Sequence, residues 1–225
     1  MRRNSENWGH RCIIAVAVTG LATAATRHLV GNLLSATVTL QWHVLNFADK
    51  PDTVQARIRQ EIDDEVGRER QPAWKDRNRM PYTVACIWEM YRWKTVSPLG
   101  VARSCAGEDT FFDEYFIPKG TTVSPNVWAV HNDPTLWKVP SKFDPSSFLR
   151  EDGSLVQPKP EYLIPFFIGK RMCPGEILAS VEIFLYITCL LQKCIVLPDE
   201  GKIQGLDSAD IPLAELNRYK VRFLP

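Results

Sequence analysis

Apolar positions along this chain change their period twice, and the elements follow those changes. From residue 28 to 48 they recur at helical spacing with few breakers, which predicts a long helix. Asp49-Lys50-Pro51-Asp52 ends it and starts another, because proline is tolerated in a first helical turn but not further in. Residues 54–66 read as a charged amphipathic helix closed by Gly67. Residues 68–79 read as a polar connection, and Met80-Pro81 opens a third helix over 82–95, which Ser97-Pro98 stops. The period then falls toward two. Residues 101–104, 110–117 and 121–124 read as strands, the last two joined by Pro118-Lys119-Gly120. A short helical turn is expected at 126–131. A proline-rich stretch over 132–165 follows with little periodicity, and a loop that long is unusual unless it serves a function. A last amphipathic helix spans 176–192, and the tail from 194 to 225 holds one or two short strands. The expected fold is mainly α with a small β region, an α+β arrangement with strands segregated between helices.

Composition narrows the function classes. A net charge of +1 over 225 residues gives no case for nucleic acid. The six cysteines include no Cys-x-x-Cys pair, which argues against a zinc site, and a disulfide framework is weak in a chain this long. The thiols read as reduced and cytosol-facing. The first 27 residues differ from the rest. Arg2, Arg3 and Arg11 precede an apolar run over 12–25 that is short for a bilayer span. That run has the make-up of a signal-peptide core, with Ala22-Thr23-Ala24 as a small-residue cleavage site. The alternative is an irregular start left by truncation or splicing, favoured because the segment runs straight into a helix the fold needs. The expected division is therefore an atypical segment 1–27 and a main part 28–225.

The densest chemistry lies in Phe166-Phe167-Ile168-Gly169-Lys170-Arg171-Met172-Cys173-Pro174-Gly175. One cysteine stands at the tip of a glycine-bounded turn, two residues after Arg171 and just before a helix. Thiolates are strong soft-metal ligands, and a cation and a helix N-terminus both favour them. Gly169 and Gly175 would let a flat cofactor approach the backbone. Earlier, Glu89 and Arg92 share a helix face among Ile87, Trp88, Met90, Tyr91 and Trp93, so the pair is expected to be buried and to need further hydrogen bonds. A third pattern is Phe143-Asp144-Pro145-Ser146-Ser147-Phe148.

In this order, Glu-x-x-Arg, Tyr115 to Thr121, Phe-x-Pro-x-x-Phe and Phe-x-x-Gly-x-Arg-x-Cys-x-Gly, the chain resembles the C-terminal half of the cytochrome P450 superfamily, most closely its animal microsomal members. The superfamily is the standing example of haem iron held by a cysteine thiolate. The resemblance implies haem b bound through Cys173, with Phe166, Gly169 and Gly175 shaping the site and Arg171 hydrogen-bonded to a propionate. It implies a structural network of Glu89, Arg92, Phe143, Pro145 and Phe148, in which Ser147 replaces the usual cation. Leu99 stands where many relatives place a second propionate anchor. Aligned on Leu40-Gln41-Trp42, the first helix would cross the haem, with Leu34 replacing the usual acid and either Ser35 or Thr37 as the alcohol that aids oxygen activation. The plainer reading of all these positions is helix packing. The implied activity is insertion of one oxygen atom from O2 into a lipophilic small molecule. Electrons would come from NADPH through a flavoprotein reductase that docks on the Cys173 side, with Lys170 as a contact, at the cytosolic face of the endoplasmic reticulum membrane. The alternative is a truncated, inactive haem-binding fragment, motivated by length, Leu34 and Ser147.

Overall fold

A computed structural model describes residues 26–201, 203, 206 and 219–225, with side chains from residue 35 onward. Ala22-Thr23-Ala24 lies outside the described residues, and so do the side chains of Gly31 to Leu34. The first predicted helix is α1, Thr26–Asp49. Pro51 then opens a wide helical turn, Pro51–Gln55, that leads into α2, Ala56–Glu65. Gly67 closes α2 with φ +72°, a conformation glycine adopts without strain. The connection at 68–79 is not wholly irregular. It contains a 3-10 turn, Trp74–Arg79, because Asp76 accepts from the Ala73 amide at 2.8 Å and is held by Arg70 at 2.7 and 3.0 Å. The third helix, α3, is Pro81–Trp93. Its free N-terminal amides are covered from α2, where Glu61 accepts from Tyr82 and Thr83 N–H at 2.8 Å each and from the Thr83 hydroxyl at 2.7 Å.

The strand region departs from expectation at one point. Residues 110–117 form a hairpin, β2 (Thr110–Phe112) against β3 (Tyr115–Ile117), rather than one strand. Asp113 turns the chain with φ +49°, a conformation Asp tolerates better than most residues. Aromatic pairs on both sides of Asp113-Glu114 give the segment the composition of one strand and conceal the turn. β1 (Arg103–Ser104) pairs with β4 (Thr122–Val123), so the Pro118-Lys119-Gly120 turn returns the chain to β1 and not to its own neighbour. A short α4, Val127–His131, precedes the long loop, which holds a 3-10 turn at Pro145–Phe148. Helix α5 is Glu176–Lys193, and β5 (Ile195–Pro198) pairs with β6 (Val221–Leu224).

The core forms where α1, α2, α3 and α5 meet. Phe47, Ile58, Ile62, Met90, Phe184, Ile187 and Leu191 are fully buried in one cluster. Polar groups tie its edges. Gln55 donates to the Phe47 and Val196 carbonyls and accepts from the Val196 amide, joining the first turn after α1 to β5. Arg59 donates to the Leu191 and Cys194 carbonyls, satisfying the open C-terminus of α5. That fixes the far end of the helix that begins beside Cys173.

Candidate cofactor-binding site

Glu89 and Arg92 are almost wholly buried on α3 and meet in a bidentate pair at 2.6 and 2.7 Å. Burial pushes the Glu89 carboxyl up, and the Arg92 hydrogen bonds pull it back. Arg92 also donates to three backbone carbonyls, that of His131 at the end of α4 at 3.1 Å and those of Pro140 and Lys142 in the long loop at 2.7 and 2.9 Å. Glu89 accepts from the Asp144 amide at 2.8 Å. Backbone groups therefore complete the network, and the exposed Ser147 contributes no bond to it. A charge pair this dry is viable only when such bonds replace lost water.

The Phe-x-Pro-x-x-Phe residues pack around this pair. Phe143 and Phe148 are buried, and Pro145 starts the 3-10 turn between them. Phe143 meets Trp93 edge-on at 5.5 Å, and Phe148 meets Trp88 at 5.7 Å. Trp93 donates its indole N–H to the Ser141 carbonyl at 2.8 Å.

His131, which the pattern marked only as the end of a helical turn, is a hub of this region. Its Nε2 accepts from the Ile164 amide at 3.1 Å, so the proton sits on Nδ1, 2.8 Å from the Thr95 hydroxyl. Burial, aided by the charge of Arg92, lowers its pKa to about 4. A histidine at the end of a short apolar helix was the available sequence signal, but its partners lie more than thirty residues away.

The cysteine loop begins where this scaffold ends. Phe166 meets Tyr91 of α3 edge-on at 5.2 Å. The Cys173 amide donates to the Phe166 carbonyl at 2.8 Å and closes the loop. Cys173 is half-buried. Gly169 has φ +77° and open space where a side chain would stand, whereas Gly175 sits at the N-terminus of α5 with φ −93°, which needs no glycine. Arg171, Lys170, Ile168 and Met172 are exposed.

The segment after α3 lies against this loop. A Cβ on Gly100 (φ +61°) would stand 2.5 Å from Pro125 Cγ and 2.9 Å from the Phe167 ring, so glycine is required for the approach. Three residues on, Arg103 donates to the Arg171 carbonyl at 3.3 Å. Two guanidinium groups thus share the mouth of the loop. Sequence reasoning found Arg171 and passed over Arg103. It considered Leu99 instead, whose exposed apolar side chain offers no donor. The signal for Arg103 was a cation in an alternating segment, which reads equally as an ordinary solvated strand residue.

On α1, Ser35 and Thr37 are half-buried, and the buried Thr39 donates to the Ser35 carbonyl at 2.9 Å. Further along, His43 and Asn46 are buried without a hydrogen-bond partner among the described residues, and burial lowers the His43 pKa to about 3.

The family model for cytochrome P450 matches residues 21–216. The chain belongs to the cytochrome P450 family. Human cytochrome P450 2U1 is 40% identical over 181 residues, which cover 78% of this chain and 32% of that protein. Dog cytochrome P450 2D15 is 43% identical over 164 residues, 73% of this chain and 32% of the relative. Marmoset (Callithrix jacchus) cytochrome P450 2D19 is 43% identical over 161 residues, 72% of this chain and 32% of the relative. The chain spans about a third of the length of the curated relatives it matches. Among the described residues no helix is long and apolar enough to cross a membrane. Among the described residues Cys86, Cys105, Cys173 and Cys189 are free thiols.

Proposed function

We propose that this P450-family chain is the cysteine-bearing part of a haem-thiolate monooxygenase. The observation that carries the reading is the closed loop from Phe166 to Cys173, with one thiol at its tip and Arg171 and Arg103 at its mouth. The residues present suit a haem. There is one soft ligand, two guanidinium forks for two carboxylates, and apolar flanks in Phe166 and Ile168. When bound, haem b supplies oxygen activation, with one atom of O2 inserted into a lipophilic small molecule and electrons drawn from NADPH through a flavoprotein reductase.

The chain's own residues have the following roles in this reading. Cys173 Sγ would hold the iron. Arg171 would bind one propionate and Arg103 the other, in place of Leu99. Phe166, Gly169 and Gly175 shape the loop. Glu89, Arg92, Phe143, Pro145 and Phe148 hold it from behind. Ser35 Oγ or Thr37 Oγ1 moves protons on the α1 side. Lys170, exposed beside Cys173, is a contact for the reductase. Residues 28–225 form the haem-binding part, and the protein works at the cytosolic face of the endoplasmic reticulum membrane.

A second reading keeps haem binding without turnover. The exposed aromatic residues Phe111, Phe112, Tyr115 and Phe116 favour it, because an unaided cleft would leave an apolar cofactor facing water as well. The test is the reduced, carbon-monoxide-bound spectrum of the purified chain after haem supplementation, followed by turnover with added reductase. A thiolate-type Soret band that vanishes in Cys173→Ala supports the ligand. The same band in Cys173→Ala overturns it. A thiolate band without product supports the second reading.

A further inference from the structure

A second concave site shares no lining residue with the cysteine loop. A half-open groove of about 680 Å³ runs between α3, α5, the Trp74–Arg79 turn and the loop around residues 150–157. Its size falls in the range of small-molecule sites. Its lining includes neither α1 nor any residue of the 166–173 loop, so it is separate from the proposed cofactor site.

Aromatic rings make the walls. Trp74, Trp88, Tyr91 and Phe184 all face it, and Trp74 meets Phe184 edge-on at 5.7 Å. Two arginines share the same space, Arg77 and Arg150. Arg77 lies over the Trp74 ring at 4.1 Å and donates one N–H to the Trp74 carbonyl. Arg150 donates one N–H to the Gln157 carbonyl at 3.2 Å. Among the described residues neither is ion-paired with a carboxylate.

Two of the acids nearby are ion-paired elsewhere. Glu176, which lines the groove, accepts from Lys159 at 3.1 Å. Asp76 is held by Arg70, and Asp152 accepts from the Ser154 amide at 2.8 Å. The groove thus combines flat apolar walls with two guanidinium groups that stand outside any ion pair among the described residues, Asp152 acting on Arg150 only at longer range. Each guanidinium keeps N–H groups to spare, in the planar fork that matches a carboxylate or sulfonate. We propose that this groove binds an amphipathic organic anion, an aromatic body carrying one carboxylate or sulfonate, with Arg77 and Arg150 on the charged end and Trp74, Trp88 and Phe184 on the ring.

The test is titration of the full chain with pyrene-1-carboxylate, read by tryptophan quenching and probe anisotropy, with uncharged pyrene-1-methanol as comparison. One saturable site is expected. Arg77→Gln and Arg150→Gln should each weaken the carboxylate about tenfold, the scale of one charged hydrogen bond. Arg150→Lys should recover part of the loss. The alcohol should bind more weakly and respond to neither change. Cys173→Ala and the pair Phe111→Ser with Phe116→Ser should leave binding intact. Equal binding of alcohol and carboxylate to the unaltered chain overturns the proposal without recourse to any variant. Unchanged affinity in the double arginine variant, or loss of binding in the hairpin variant, overturns it too.

Discussion

The two loops that flank α3 are built in opposite ways. The long loop after α4 has its polar groups gathered inward. Arg92 takes two of its carbonyls and that of His131 just before it, Glu89 takes the Asp144 amide, and His131 takes the Ile164 amide. The cysteine loop that follows is closed at its base by one backbone bond and leans on Tyr91 and Gly100, while Ile168, Lys170, Arg171 and Met172 face outward. Stability is concentrated in the first loop, and unspent binding capacity in the second. Substitutions in the two should therefore separate cleanly into those that unfold the chain and those that leave it folded but unable to bind.

The sharpest test is Arg92→Ala against Arg171→Ala. The first leaves a buried Glu89 without its cation and three backbone carbonyls without this donor. A loss of about 3–5 kcal/mol is expected, seen as collapse of the urea midpoint in tryptophan fluorescence. Arg92→Lys should recover little, since one ammonium cannot reproduce the planar fork. Arg171→Ala removes an exposed side chain and should shift stability by no more than about 0.5 kcal/mol. Equal losses in the two would erase the distinction between the loops.

Acid should act on the same side of the comparison. His131 and His43 have folded pKa values of about 4 and about 3, below the 6.5 of the unfolded chain. Both are neutral in the fold, so above pH 6.5 they exact no penalty. As pH falls below 6.5 the unfolded state takes up protons that the folded state refuses, and stability drops until the folded groups titrate near pH 4 and 3. A tenfold weaker proton affinity in the fold corresponds to about 1.4 kcal/mol, so each histidine accounts for a few kcal/mol across that range. His131→Asn should flatten the part of the urea-midpoint profile between pH 6.5 and 4. A profile unchanged by that substitution would remove His131 from the buried network.

How much of this the sequence carried depends on the range of each interaction. Helices α1, α2, α3 and α5 follow from local periodicity, and the pairing of Glu89 with Arg92 follows from three-residue spacing on one helix. The hairpin did not show, because the strand-forming aromatics Phe111, Phe112, Tyr115 and Phe116 lie on both sides of Asp113-Glu114, a turn with no glycine or proline to mark it. Arg103, His131 and the backbone acceptors of Arg92 were hidden for another reason. Their partners are carbonyls and amides thirty or more residues distant, and backbone groups have no signature in side-chain identity. Ser147, which stands where the resemblance implied a cation, is an instance of the same kind, since the partners of Glu89 and Arg92 beyond each other are main-chain groups.

Gly100→Ala against Gly169→Ala refines the comparison between the cysteine loop and the segment that lies against it. Both residues have positive φ, so each alanine costs about 1 kcal/mol of backbone strain. Only at Gly100 does the new Cβ also meet neighbours, Pro125 and the Phe167 ring. That substitution should cost about 1–3 kcal/mol more and displace the loop, raising the rate at which Cys173 is alkylated. Gly169→Ala should leave alkylation near its original rate. Equal rates in both would mean that Gly100 does not set the position of the loop.

The smallest effect belongs to the hairpin. Phe111 and Phe116 are cross-strand partners with ring centres 5.2 Å apart, yet both are more than half exposed. Such a pair contributes about 0.2–1 kcal/mol to the hairpin, and little of that reaches the α1–α5 core, which the hairpin does not join. Phe111→Ser with Phe116→Ser should therefore leave the urea midpoint nearly unchanged and reduce the binding of apolar dyes to the surface. A loss approaching that of Arg92→Ala would place the hairpin inside the cooperative unit. The stable part of the molecule would then extend beyond α3 and its loop, and the division between a held scaffold and an open binding face would have to be drawn elsewhere.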